Sequence, residues 1–279
     1  RKILRSLRYR TLQSLTRFQT VLTTTMLKIS IITTVYNNGS TIEDTIKSVL
    51  AQDYPNIEHV IVDGGSTDNT SAVIEKYRDQ IGQYVSEPDK GPYDGMNKGV
   101  RMATGDVVGI LNSDDFFTAP NIVSQLAAAF EKYDCDAVYG DVHYVRPENL
   151  KKIIRYYSSR YFRPSWMRLG FMPAHPSFYC KRSVYLQHGL FDTSYKVAAD
   201  FEQLLRLIYI HRIKTHYLPL DCVTMRIGGL SSSGVPSHLQ IFKDHKRALK
   251  TNGVRSNSFL LALRYIYKAG ELLVSKIRY

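Results

Sequence analysis

At 279 residues, with 44% apolar and 22% charged residues, the chain has ordinary globular composition, enough for one large α/β domain or two small ones, which argues against disorder. The net charge of +12 admits nucleic acid, anionic lipid or a phosphorylated substrate as partner. No helix-turn-helix, zinc-finger or aromatic RNA-binding pattern accompanies that charge, so nucleic acid ranks last.

Residues 1–25 hold Arg1, Lys2, Arg5, Arg8, Arg10 and Arg17 and no acid, which is half of the net charge. Leu4, Leu7, Leu12 and Leu15 make this stretch weakly amphipathic, without the continuous apolar core of a signal peptide. The expectation is an extension outside the fold, with a membrane-surface anchor as the alternative.

From residue 26 strands and helices alternate. Ile29, Ile31, Ile32 and Val35 form a β-branched run suited to a buried parallel strand. Ser40-Thr41-Ile42-Glu43 reads as a capping box opening a helix with Ile42, Ile46, Val49 and Leu50 on one face. Residues 57–62 give a second strand, followed by Gly64-Gly65 and a helix carrying Val73, Ile74 and Tyr77. A helix over 93–103, a strand over 106–111, a helix from Pro120 to about Tyr133 and a strand starting at Ala137 follow. This rhythm predicts an α/β fold with a mostly parallel central sheet flanked by helices.

The second half is less regular. Residues 142–172 suggest a hairpin and short helices, Phe201, Leu204, Leu205 and Ile208 a helix, and 214–225 a strand pair. A flexible loop spans 228–234, and a basic helical tail covers 235–279. The expected division is therefore an extension (1–25), a catalytic domain (26–234) and a C-terminal amphipathic segment (235–279).

In parallel sheets ligands bind beyond the carboxyl ends of the strands. Three polar clusters sit at such ends: 33–38, Asp63-Gly64-Gly65-Ser66-Thr67-Asp68 and Asn112-Ser113-Asp114-Asp115. Paired carboxylates at a strand end suit Mg²⁺ or Mn²⁺, though taken alone such a pair is more often a turn or helix cap. Asp63 could accept bonds from a base or ribose, and Asp68 fits a helix N-cap. The Gly64-Gly65 pair invites a dinucleotide-dependent dehydrogenase reading, but the G-x-G-x-x-G fingerprint is absent after the first strand, which ranks it well below a transferase. Cys135, Cys180 and Cys222 are odd in number and widely spaced, which suits a reducing compartment and shows no metal spacing. No run of about 18 apolar residues is present. The expected location is the cytoplasm, with peripheral contact at the inner face of the plasma membrane as an option.

Residues 26–37, Val62 to Asp68 and Leu111 to Asp115 together resemble the family 2 glycosyltransferases. Ser86-Glu87-Pro88-Asp89-Lys90-Gly91, Tyr93-Asp94 and Met96-Asn97-Lys98-Gly99 resemble a branch found among bacterial polysaccharide-assembly enzymes. Pro173 to Tyr179 and Ala198-Ala199-Asp200-Phe201-Glu202 extend the match. The resemblance implies the A-type nucleotide-diphospho-sugar transferase fold and an inverting transfer from a nucleoside-diphosphate sugar, by family habit UDP, to an acceptor hydroxyl on a saccharide or lipid-linked saccharide. It places Thr34, Tyr36, Asp63, Asp94, Asn97 and Asp114 at the donor nucleotide. Asp115, joined by His175 as a second candidate, would hold Mn²⁺ or Mg²⁺, and Asp200 would be the catalytic base. The absence of a Gln-x-x-Arg-Trp pattern favours one sugar per encounter. The rival is a non-catalytic sugar-nucleotide-binding subunit of a membrane-associated assembly. The basic tail (Lys243, Lys246, Arg247, Lys250, Arg255, Arg264, Lys268, Lys276 and Arg278) fits a bilayer surface, a solvated face or a homodimer contact. Lys90, Lys98 and Arg226 are candidate phosphate partners.

Overall fold

The computed structural model describes residues 26–228 and 235–278; the readings made for residues 1–25 and for most of the 228–234 loop lie outside them. The first half runs β1 (Ile29–Val35), α1 (Ile42–Leu50), β2 (Ile57–Asp63), α2 (Thr70–Glu75), β3 (Gln83–Ser86), α3 (Pro92–Met102) and β4 (Val107–Ile110). These four strands are parallel in the order β3-β2-β1-β4, so the loops after β1, β2 and β4 leave one edge of the sheet. Period-two alternation explains the layering. Ile32, Val60, Val62, Val108 and Ile110 face one core, whereas Ile29, Ile31 and Val107 face the other. α3 lies close on β1 because Gly99 presents no side chain: a Cβ there would stand 2.3 Å from Ile32 Cγ2.

The second half is mixed. β5 (Phe116–Phe117) and α4 (Ile122–Lys132) precede β6 (Ala137–Arg146), which forms a hairpin with β7 (Asn149–Tyr157). β8 (Phe178–Lys181) is antiparallel to both β4 and β6 and joins the halves. α5 (Arg182–His188) and α6 (Ala199–Leu204) follow, the latter continuing as a wider π-type coil over Leu205–Ile210. The strand pair expected over 214–225 is instead one long strand, β9 (Thr215–Arg226), parallel to β6 with a register shift near Asp221. Pairing with β6 on one side and β5 on the other satisfies this backbone without a hairpin.

The tail forms α7 (Val235–Thr251) and α8 (Ser258–Arg278). Ala248, Leu249, Val254 and Leu261 belong to the same buried cluster as Ile32 and Phe201, so these helices share the main core. His245 stacks on Phe201 at 3.8 Å between ring centroids. None of the described helices is long and apolar enough to cross a membrane.

Two local expectations are corrected. The capping box at α1 does not form: Thr41 Oγ1 donates to the Ser113 carbonyl (3.0 Å), and Glu43 accepts from Tyr77 Oη and pairs with Lys47. Tertiary partners outcompete the local cap, and the exchange ties α1 to the 112–115 loop. The N-cap position of α2 is Asn69, while Asp68 accepts from Gly39 N and from the Thr70 amide and hydroxyl, bracing the loops after β1 and β2.

At the opposite sheet edge Glu58, only 6% exposed, accepts from Ser30, from the Thr104 amide and hydroxyl, and from Gln83, and pairs with Lys28 at 3.1 Å. Burial raises its pKa, but those hydrogen bonds together outweigh burial and bring it from 4.5 down to about 2. A depressed carboxylate stabilises the fold above its ordinary pKa, and that contribution drains away as pH falls from 4.5 through about 2. The whole shift corresponds to ~3 kcal/mol. Glu58→Gln is expected to lower urea stability at pH 7 by up to that amount and to flatten the acid slope. Parallel stability–pH curves for both proteins would refute the assignment.

Candidate active site

One cleft, open to solvent, lies at the strand ends. Asn112, Asp114, Asp115 and Arg226 form one wall, with Tyr93, His175, Val197 and Asp200 among the residues facing them. The first wall is built by the loop that ends β4. Asp115 is 1% exposed, its Oδ1 accepting from Arg226 N (3.2 Å) and its Oδ2 from Asn112 Nδ2 (2.9 Å). Burial, and then the neighbouring Asp114 charge, push the Asp115 carboxyl well above the usual range. Burial raises Asp114 as well, against the pull of Arg226. The Arg226 guanidinium does not neutralise this pair directly. It donates to the Asp114 carbonyl (2.5 Å) and to the Asp44 carboxylate on α1, and it lies 5.0 Å from the Phe116 ring centroid. Arg226 therefore braces the acidic loop from β9.

The facing wall carries Asp200 in the first turn of α6. Two helices brace its surroundings. Asp244 of α7 accepts from Val197 N (3.1 Å) and Ala198 N (3.2 Å), while Gln240 secures its other oxygen at 2.7 Å. Tyr93 of α3 donates to the Val197 carbonyl. Asn97, one turn on, closes a reciprocal pair with the Phe191 backbone, 2.9 Å each way. Asp200 Oδ1 accepts from Phe201 N at 2.8 Å. Desolvation raises its pKa, opposed first by His175. His175, 7% exposed and edge-to-face with Phe191, has its own pKa lowered by burial, against the pull of the Asp200 charge.

Of the residues singled out in the sequence, Asp114, Asp115, His175 and Asp200 share this cleft. Asp63 does not line it. Its carboxylate ends β2 fully buried, accepting from Ser66 N and Oγ, Ser71 Oγ and Ser86 Oγ. Thr34 packs against Gly95 of α3, Tyr36 is 63% exposed, and Asp94 accepts from Lys90 N. Asn97 spends both ends of its amide on Phe191. Lys98 pairs with Glu87 and the Pro88 carbonyl.

Sequence reasoning passed over three groups. Asp89 Oδ2 lies where a Cβ on Gly64 or Gly95 would stand (2.7 and 3.1 Å), so two glycines seat one carboxylate beside Thr34. The two glycines and the Asp-Lys-Gly run were visible, but their meeting was not. Asp244 and Asp44 act across long sequence separations and left no local signal.

The residues fit Mg²⁺ or Mn²⁺ held jointly with substrate. Adjacent carboxylates, Asp115 buried and Asp114 half-buried, stand at a strand end, and the Arg226 guanidinium donates to Asp44 and the Asp114 carbonyl. Among the described residues no group of three or more His, Cys, Asp or Glu side chains is arranged to cage a metal alone. Such sharing with phosphate oxygens is the habit of hard divalent ions.

The model of glycosyl transferase family 2 matches residues 30–187. This chain belongs to that family. An uncharacterised glycosyltransferase of Mycobacterium tuberculosis is 30% identical over 226 residues, covering 78% of this chain and 82% of the relative. A PGL/p-HBAD biosynthesis glycosyltransferase of Mycobacterium bovis is 27% identical over 212 residues, covering 73% and 79%. Among solved structures, Staphylococcus aureus TarS 1-349 in complex with UDP-GlcNAc superposes with a TM-score of 0.63 at 19% identity, covering 80% of this chain and 66% of that one. The mannosyltransferase PcManGT of Pyrobaculum calidifontis, in complex with GDP-Man and Mn2+, gives 0.57 at 16%, covering 91% and 87%. The fold of this family 2 glycosyltransferase is thus the A-type nucleotide-sugar transferase fold.

Proposed function

We propose that this glycosyltransferase is metal-dependent and inverting, moving one hexosyl or N-acetylhexosaminyl unit from a nucleoside-diphosphate sugar, UDP first among candidates, to an acceptor hydroxyl in cell-surface polysaccharide synthesis. The observation that carries the reading is that Asp115 and Asp200, far apart in sequence, line one cleft. The UDP-GlcNAc bound by TarS and the GDP-Man and Mn2+ bound by PcManGT support a nucleotide-sugar donor and a divalent ion. In this proposal residues 26–234 form the catalytic domain and 235–279 brace it.

Asp115, with Asp114, would hold Mn²⁺ or Mg²⁺ against the diphosphate; the bound ion supplies positive charge where the leaving group gains negative charge. Asp200 takes the proton of the acceptor hydroxyl as it attacks the anomeric carbon opposite the diphosphate, which inverts that centre. The Tyr93–Val197 link and the bonds from Val197 N and Ala198 N to Asp244 hold the start of the Asp200 helix at the cleft. Thr34, Tyr36, Asp94 and Asp89 stand on the nucleoside side. Asp63 acts there through the loop it binds.

A thermal-shift series of nucleoside diphosphates tests this. UDP with Mn²⁺ at a hundredfold excess over its Kd is expected to raise Tm by roughly 5 °C or more, and neither alone should do so. No shift with any diphosphate, with or without the ion, would overturn the donor reading.

A further inference from the structure

His175 lines the cleft together with Asp200, yet the transfer chemistry of Asp115 and Asp200 makes no use of it. Its backbone is fixed. It opens the short 3₁₀ turn His175–Ser177, directly before β8. The Ser177 hydroxyl locks that turn, lying 2.9 Å from the Gly140 carbonyl on β6 and 2.8 Å from the Ala174 carbonyl. The ring is fixed as well. It meets Phe191 edge-to-face at 5.6 Å between centroids, and Phe191 stacks on Tyr93 at 5.8 Å.

The imidazole is only 7% exposed, so its polar atoms have few places to turn. Neither ring nitrogen has a hydrogen-bond partner among the described residues, and neither is sealed from solvent. The cleft is where a partner can reach them. Asp200 is in the same condition: Oδ1 accepts from Phe201 N at 2.8 Å, and Oδ2 has no partner among the described residues. Most other polar groups of the lining are engaged. Tyr93 donates to the Val197 carbonyl, Asn112 to Asp115, and Arg226 to Asp44 and the Asp114 carbonyl. The charge that acts on His175 is that of Asp200, not that of Asp114 or Asp115. Nor, among the described residues, is His175 gathered with those two into a group able to hold a metal. Two open polar groups therefore belong to the acceptor side of the chemistry.

One attacking hydroxyl needs only Asp200. A second hydroxyl would use the imidazole: adjacent hydroxyls on a sugar ring stand about one hydrogen-bond length apart, and a hydroxyl both donates and accepts, so it suits either tautomer. A lone alcohol would displace water from His175 and leave its nitrogen unpaired, which costs affinity. We propose that His175 is a specificity-determining residue that binds the hydroxyl next to the attacking one, so that the acceptor is read as a vicinal diol. Asp200 still takes the proton of the attacking hydroxyl, the glycosidic bond forms at that oxygen, and the nucleoside diphosphate leaves; His175 exchanges no proton. The inference rests on the transferase reading with Asp200 as base, and adds to it the rejection of lone alcohols.

Small ring alcohols test this without the natural acceptor. The enzyme is given Mn²⁺ and whichever of UDP-GlcNAc, UDP-glucose and GDP-mannose it hydrolyses fastest. Cyclohexanol competes in the same reaction with an equal concentration of cis- or trans-1,2-cyclohexanediol, and the glycosides are counted by mass spectrometry. With at least one diol isomer, wild type is expected to favour the diol about tenfold per hydroxyl. His175→Phe and His175→Met should each bring that ratio to about one. Because the ratio is read among products of one reaction, a slow variant still reports it, and two variants guard against one that does not fold. Equal use of both alcohols by wild type, or of neither while the donor is hydrolysed, would overturn the proposal. So would a diol preference kept by either variant, whether that variant loses stability, as at a core histidine, or Mn²⁺ affinity, as at a metal ligand. Those results sink the role of His175 alone, whereas absence of cleavage with any nucleotide sugar sinks the transferase reading and this inference with it.

Discussion

Asp200→Asn is expected to lower kcat by about three orders of magnitude while leaving nucleotide affinity within about twofold of wild type. The reason lies in what holds this carboxylate. Its position depends on the Val197–Ala198 backbone, which Asp244 and Tyr93 fix from two other helices, neither of them through the Asp200 side chain. An asparagine can keep the bond from Phe201 N with its carbonyl oxygen, so the frame survives while the proton acceptor is lost. Asp200 also lies across the cleft from the acidic loop, so donor binding should not register the change. Desolvation raises the Asp200 pKa, and a base works only when deprotonated. The acid limb of kcat/KM should therefore lie above the ordinary carboxylate range and be absent from the residual activity of Asp200→Asn. Steady-state kinetics together with UDP titration check both halves. A variant with full turnover would remove Asp200 from the chemistry, and a variant that lost UDP binding would make it a structural residue.

How much of this was legible beforehand differs between the two halves of the chain. The parallel half could be read because its strands are short β-branched runs buried on both faces, each followed by a turn and an amphipathic helix. Once β1, β2 and β4 are parallel, their polar ends must share an edge, so the convergence of the acidic loop on a cleft followed from topology. β9 was misread because its Pro219 and polar residues resemble a turn, whereas a register shift opposite β6 absorbs the irregularity. Asp63 shows a different limit. Its place at a strand end was clear, but the convergence of Ser66, Ser71 and Ser86 on its oxygens depends on three separate segments. The capping box failed for the same reason, since Glu43 and Thr41 found distant partners. The basic tail could not be apportioned from sequence. Arg247 bonds Ser194 and lies 4.1 Å from the Tyr195 ring centroid, and Arg264 contacts His245, so part of that charge is structural.

The second large effect is expected at Asp115. Asp115→Ala should abolish the stimulation of UDP binding by Mn²⁺, weakening affinity in the presence of the ion by at least about 100-fold, since altering even an outer partner of a metal ligand costs 10–100-fold. The charge arrangement supports an effect of this size. Asp114 and Asp115 are adjacent at the end of β4, both in desolvated surroundings, and the guanidinium beside them is committed to the Asp44 carboxylate and a backbone carbonyl. Burial outweighs the pull of Arg226 on both carboxylates, so the site favours a further cation, and a diphosphate would be repelled by the two carboxylates without one. The competing account is that Asp115 only braces the loop, because its oxygens accept from Arg226 N and Asn112. The two accounts separate on the metal-free baseline. If Asp115 is a ligand, Asp115→Ala should bind UDP as weakly as wild type in EDTA, with Mn²⁺ making no difference. If it is a brace alone, the variant should lose thermal stability without ligand yet keep a Mn²⁺-dependent gain. Asp114→Ala completes the comparison: its half-buried carboxylate accepts none of the bonds that hold the loop, so a smaller loss of Mn²⁺ stimulation at wild-type stability would mark it as the auxiliary ligand.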